Sequence, residues 1–206
     1  TGCHNKNSYK FIKKGQKIEG HFFNLSEEKK QSILNAIREE FLQKPFNKAR
    51  IANIIQKANI PRGSFYQYFE NLEEAYFLIL EKYIVDSHKL FSSLLKKNNY
   101  DHEKALQQFG REISEEIFNP ENYNLYKYKY LYWTEHLERE YTKYKTKEMT
   151  KSLKSTREEK IMFIKAIVHD LVRRAFSENW DKDTFIEKYD IQCSWIFGGI
   201  KNGRTI

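Results

Sequence analysis

The chain has little of what interrupts a helix: among 206 residues there are 3 prolines and 8 glycines, and the glycines gather towards the two ends. A middle almost free of breakers predicts an all-α protein. It has 2 cysteines, Cys3 and Cys193, at opposite ends and without CxxC spacing, which excludes a disulfide framework or a zinc ribbon and points to a reducing cytoplasm. It lacks an apolar run of the roughly 18 residues that a membrane span needs. It also lacks GxSxG, HExxH, a P-loop and a glycine-rich nucleotide fingerprint. His136 beside Glu135 and His169 beside Asp170 are sequence neighbours on different helix faces, so neither pair reads as a catalytic dyad. These absences argue against an enzyme, and no cofactor or metal is expected. The first 24 residues lack an initiator Met and the apolar core of a signal peptide, and read as a disordered basic tail or a processed end.

The charge that is present is unevenly placed. The formal net charge is +8, yet residues 1–24 hold five Lys and one Glu, residues 25–72 eight Lys/Arg and five Glu, and residues 73–206 23 basic and 22 acidic residues. The excess therefore lies in the first third, as expected of a nucleic-acid-binding module joined to a near-neutral one.

Within that basic third the segment IANIIQKANIPRGSFYQYF, residues 51–69, reads as two short helices around a tight turn. Ile51, Ile54, Ile55 and Ala58 fall at i, i+3, i+4 and i+7 and bury one helix face. Asn59 suits a left-handed helix end, and Pro61 can open a new helix but not continue the old one. In the second helix Phe65 and Phe69 face inwards, while Arg62, Ser64, Gln67 and Tyr68 are expected to face out. This is the layout of a helix-turn-helix whose second helix enters a major groove.

The stretch from about Ser26 to Ala75 resembles the N-terminal domain of TetR-family transcriptional regulators. Ile33, Leu34, Ala36 and Phe41 match the family's first helix; Ile51, Ile54, Ala58 and Asn59-Ile60-Pro61 match the second helix and turn; Gly63-Ser64-Phe65-Tyr66-Gln67-Tyr68-Phe69 match the aromatic signature. Asn59 replaces the usual Gly, Ala49 a capping Thr, Tyr68 a frequent His and Leu72 a Lys. The loss of the cap weakens the second helix by roughly 1 kcal/mol unless Asn47 serves instead.

Operator contacts are expected from Arg62 and Gln67 to base edges, from Tyr66 and Tyr68 to phosphates, and from Ser64, with Lys48 and Arg50 flanking the second helix. Gly63 lets the helix N-terminus approach a phosphate closely. The resemblance implies a cytoplasmic homodimer on a pseudo-palindromic double-stranded operator, most readily a repressor released by a small-molecule effector. Lys over Arg, with abundant Asn, fits an AT-rich bacterial genome. The competing reading is a helical adaptor that binds protein through its aromatic helices and has no salt-dependent DNA affinity.

Beyond the signature, Ser26 opens a helix to about Gln43, and an N-x-x-E box at Asn71 and Glu74 opens a helix expected to run some 25 residues and join the two domains. Asp101 caps a helix ending at Asn119-Pro120. Residues 123–144 alternate Tyr with Lys as a strand would, but Tyr126, Tyr130, Trp133 and Leu137 also fit one helix face, and helix is expected. Thr156 and Glu159 form another capping box, and a last helix runs from about 183 to Gly198-Gly199 or Gly203.

The expected organisation is thus a tail over 1–24, a DNA-binding domain over 25–72 and a helical effector-binding and dimerisation domain over 73–206. Phe109, Phe118, Tyr123, Tyr126, Tyr130, Trp133 and His136 are candidates to line a pocket for a small apolar or aromatic effector. Glu135 or Glu138 nearby favours a cationic aromatic one. Ile164, Val168, Leu171, Val172, Tyr189, Cys193, Ile196 and Phe197 are candidates for a dimer interface, because the last two helices carry more apolar surface than one core contact needs.

Overall fold

The computed structural model describes residues 20–145 and 156–202. Every regular element among them is helical: α1 (Gly20–Phe23), α2 (Glu27–Gln43), α3 (Ile51–Lys57), α4 (Arg62–Tyr68), α5 (Leu72–Tyr83), α6 (Ser87–Lys97), α7 (His102–Ile117), α8 (Tyr123–Tyr132), α9 (Glu135–Lys145), α10 (Thr156–Ser177) and α11 (Lys182–Asn202), with a 3-10 turn at Phe46–Lys48. The expected all-α class holds, and no helix among the described residues is long and apolar enough to cross a membrane.

The chain forms two compact units. The first takes in α1 to α5 and α9, the second α6 to α8, α10 and α11. The units divide at Tyr83/Ile84 and Leu131/Tyr132 rather than at the expected boundary of residue 72. The reason is α5, whose residues Ala75 to Leu80 are all buried. A helix with so continuous a buried run needs neighbours on several sides, and within the first unit α5 packs on α2 and α9. Tyr76 packs on Phe41 and Phe46, with centroids at 4.6 and 5.3 Å. Phe77 packs on Trp133, Tyr141 and Tyr144.

Local signals set most helix ends. The Ser26 hydroxyl accepts the Lys29 N–H at 3.3 Å, and Glu27 and Glu28 sit at the positive end of the α2 dipole. Asn71 Oδ1 accepts the Glu74 N–H at 2.8 Å, as the capping box requires. Asp101 caps α7 through the Lys104 N–H. The Thr156–Glu159 box lies outside the described side chains.

Three expectations need correction, and a fourth is decided between its alternatives. The 25-residue helix after Asn71 is two helices, because Asp86 takes the N–H groups of His88 and Lys89 and so starts α6 afresh, while the Tyr126 hydroxyl accepts the Val85 N–H. The helix through residues 123–144 breaks at Trp133-Thr134, where Thr134 Oγ1 accepts the Leu137 N–H and caps α9. The last helix runs through Gly198 and Gly199 and ends at Asn202, next to Gly203, the second of its two expected ends. The third correction concerns the tail. Residues 1–19 lie outside the described residues, but Phe22 is buried against Tyr68 and Phe69, so the folded unit begins before Leu25.

In the second unit α7 is the hub. Gly110 leaves a notch in α7 that the Tyr189 ring of α11 fills, and the Tyr189 hydroxyl donates to the Leu106 carbonyl at 2.8 Å. Burial holds the Tyr189 hydroxyl well above the usual tyrosine range, so it stays protonated and remains a donor.

Candidate nucleic-acid interface

The site is built on α3 and α4. α3 is two turns long, too short to be stable alone, and is held by Ile54 and Ala58, which are buried. It ends in a Schellman motif: Asn59 takes φ 49°, its N–H donates to the Gln56 carbonyl at 3.3 Å, and the Ile60 N–H donates to the Ile55 carbonyl at 3.1 Å. Asn tolerates this left-handed position better than most non-glycine residues. Pro61, extended at φ −60° and ψ 149°, is the N-cap of α4, and its carbonyl accepts the Ser64 N–H. Turn and helix start are thus both fixed by the backbone chemistry of Asn59-Ile60-Pro61.

On α4 the inward face is Phe65 and Phe69, both essentially inaccessible and in tilted contact at 5.3 Å. Arg62, Gly63, Tyr66 and Gln67 are exposed, and Ser64 is half-buried. Lys48 and Arg50, before α3, are also exposed. A Cβ added at Gly63 would meet nothing within 4 Å, so the fold itself does not require glycine there.

Tyr68 departs from expectation. It was expected to face outward, but its ring is buried, 6.0 Å from that of Phe22. The helical phase explains this: Tyr68 lies three residues after Phe65, and α1 covers the side of α4 where it emerges. Sequence reasoning missed Phe22 altogether, because it lies in the segment assigned to the tail and its partners, Tyr68 and Phe69, are more than 40 residues away.

The candidate effector residues are divided between the two units. Phe109, Phe118, Tyr123, Tyr126 and Tyr130 belong to the second unit, where Phe118 meets Tyr123 and Phe185, and Tyr123 and Tyr130 meet Phe176. Trp133 and His136 belong to the first unit: Trp133 Nε1 donates to Glu138, and His136 lies 3.5 Å from Glu73. The reason is the break at Trp133-Thr134, which removes both residues from the helix that carries Tyr126 and Tyr130. Burial pushes the Tyr130 hydroxyl up to about 12, so it is a neutral polar tip among rings. A shallow depression of about 500 Å³ lies elsewhere, on α2 and α3, and is lined by polar groups including Glu28, Gln31, Ser32, Asn35, Glu39 and Lys57. It lacks the apolar walls of an effector site. No group of three or more His, Cys, Asp or Glu among the described residues is arranged to hold a metal.

The candidate dimer residues also need correction. Ile164, Val168, Leu171, Val172, Tyr189, Cys193, Ile196 and Phe197 are all buried within the single chain, where they form the α7, α10 and α11 core. Burial pushes the Cys193 thiol up to about 11. The apolar surplus is real but lies on the opposite faces: Met162 is 58% exposed, Phe163 55%, Ile191 43% and Trp195 68%.

A helix-turn-helix with an exposed, polar second helix defines a DNA-binding module, and comparison places it in a family. Residues 33–74 match the family described as bacterial regulatory proteins, tetR family, and residues 102–199 match the tetracyclin repressor C-terminal domain. The chain belongs to the TetR family and is a DNA-binding transcriptional regulator. Among solved structures it is similar to NalD of Pseudomonas aeruginosa, the secondary repressor of the MexAB-OprM multidrug efflux pump, with 18% identity and a TM-score of 0.61 over 84% of this chain and 96% of that one. A TetR-family regulator from Chloroflexus aurantiacus aligns over 88% of this chain and 94% of that one, with 17% identity and a TM-score of 0.47. No curated protein matches the sequence.

Proposed function

We propose that the protein is a cytoplasmic, non-enzymatic repressor that binds a pseudo-palindromic operator as a homodimer and leaves it when the second unit takes up a small molecule. The observation that carries this reading is α4 itself, with Arg62, Tyr66 and Gln67 exposed on the side away from Phe65 and Phe69. Arg62 donates in a fork to guanine, Gln67 both donates to and accepts from adenine, and the Tyr66 hydroxyl reaches a phosphate. Gly63 admits a phosphate to the helix N-terminus, and Ser64, Lys48 and Arg50 flank it. Tyr68 serves as the buried buttress of α4 rather than as a contact.

A second copy supplies the second half-site. The exposed Met162 and Phe163 of α10 and Ile191 and Trp195 of α11 support pairing there, since exposed apolar side chains of that size are stabilised by covering them. Two copies of α4 would then meet successive major grooves about 34 Å apart. The aromatic set of the second unit, Phe109, Phe118, Tyr123, Tyr126 and Tyr130, supports an apolar effector with one or two polar groups. The family and the NalD likeness favour repression over activation.

Selection of bound duplexes from a random library tests the reading. Enrichment of a sequence with two inverted half-sites, bound by two chains, is expected. Recovery of duplexes without a shared motif would refute it.

A further inference from the structure

α3 begins without the residue that normally starts a helix. Its N-cap is Arg50, which makes no side-chain cap hydrogen bond, and Ala49 before it has no polar group. The missing function is supplied from another helix. Glu40 of α2 is 1% exposed, and its Oε1 accepts the Arg50 backbone N–H at 3.0 Å, the Asn53 side-chain Nδ2 at 2.8 Å and Lys44 Nζ at 3.4 Å.

We propose that Glu40 is a positioning residue for DNA reading: its buried carboxylate fixes where α3 starts and how it is rotated, and through the Asn59-Ile60-Pro61 turn it fixes the phase of α4. This rests on the reading of α4 as the recognition helix.

The sequence singles Glu40 out once its place is noticed. Ile33, Ile37 and Glu40 lie on one face of α2, and that face is buried. A carboxylate in such a stripe costs several kcal/mol unless hydrogen bonds and a counter-charge meet it. Here three donors converge on one oxygen, and the 39%-exposed Lys44 carries the balancing charge out to solvent.

The geometry of the clamp is specific to the start of α3. The Arg50 carbonyl accepts the first helical N–H groups, from Asn53 at 3.1 Å and Ile54 at 3.4 Å. Its own N–H is held by Glu40, so the 50th residue is gripped on both sides. Asn53, one turn on, is held by the same oxygen and sets the rotation. Asn53 thereby commits its Nδ2 to the protein rather than to DNA. Four residues separate Asn53 from Ala58, after which the turn leaves no slack before Pro61. A small rotation of α3 is therefore passed to Arg62 and Gln67.

Because all three donors meet a single oxygen, an amide carbonyl can replace the carboxylate whereas an alkyl group cannot. The test compares Glu40→Gln with Glu40→Leu in the full chain, measuring affinity for the duplex that wild type enriches from a random library and for a scrambled duplex. The expected ratio of the two is within about twofold of wild type for Glu40→Gln and lower by about tenfold or more for Glu40→Leu, with scrambled-duplex affinity unchanged. Hydrogen exchange of the free protein over residues 49–57 reads the clamp without DNA, so it stands even if the operator reading fails. Protection is expected in wild type and Glu40→Gln, and faster exchange in Glu40→Leu. Should Glu40→Leu fail to fold, Asn53→Ala removes one donor without disturbing the α2 face and is expected to move both readouts in the same direction. Wild-type exchange and discrimination in a folded Glu40→Leu, or equal loss in Glu40→Gln and Glu40→Leu, would overturn the proposal.

Discussion

The ring of Phe22 lies 5.3 Å, centroid to centroid, from that of Phe69, so a residue ahead of the first long helix closes the core beneath the recognition helix. Phe22→Ala opens a cavity there and is expected to destabilise the first unit by about 3 kcal/mol, as large-to-small aromatic changes in cores do. Urea unfolding followed in the full chain checks this. A loss below about 1 kcal/mol would mean that Phe22 is peripheral.

Gly110 and Tyr189 make the corresponding contact in the second unit. A Cβ at Gly110 would run into the edge of the Tyr189 ring, and that ring is anchored by its hydroxyl on Leu106. Gly110→Ala adds helix propensity worth about 1 kcal/mol, yet overpacking costs about 1–3 kcal/mol and lost anchoring adds to it. The net result expected is a lower thermal midpoint. Pairing it with Tyr189→Phe separates steric cost from the hydrogen bond, since the phenylalanine variant keeps the clash.

Gly63→Ala should have the opposite character. The site is open and helical, so alanine is expected to leave stability unchanged or raise it by roughly 0.5 kcal/mol. Affinity for the enriched duplex should nonetheless fall several-fold, because the methyl group stands where a phosphate would come close. Equal affinity would remove Gly63 from the contact set.

Trp195→Glu places a charge on the exposed apolar surface of α11, which also carries Ile191, while α10 carries Met162 and Phe163. The substituted side chain remains solvated in an isolated chain, so folding is expected to be unaffected. Sedimentation velocity should then show a monomer in place of a dimer, and operator affinity should drop with it. A dimer that survives Trp195→Glu would place the interface elsewhere.

What was legible in the sequence was what local rules control. The Ser26, Asn71 and Asp101 caps, the Asn59 turn and the apolar face of α3 are each set by residues within one or two turns, and each appears where those residues put it. What was illegible depended on which neighbour covers a face. Val168 and Trp195 are both large apolar residues on amphipathic helices, and only the tertiary packing around each helix decides that the first is buried and the second exposed. The break before Asp86 was hidden for a related reason: the apolar stripe continues across it, and the side-chain cap overrides the stripe. Tyr68 and Glu40 reversed the usual expectation for polar residues because α1 and α3, respectively, supply what covers them.

The most direct test of the account is the anisotropy of labelled duplexes across a salt series, comparing wild type with Gln67→Ala and Tyr68→Phe. Wild type is expected to prefer the enriched duplex over a scrambled one, Gln67→Ala to lose that preference while keeping the same salt slope, and Tyr68→Phe to keep the preference, since its ring and not its hydroxyl is the buttress. If Gln67→Ala discriminates as wild type does, α4 does not read the bases and the account is contradicted.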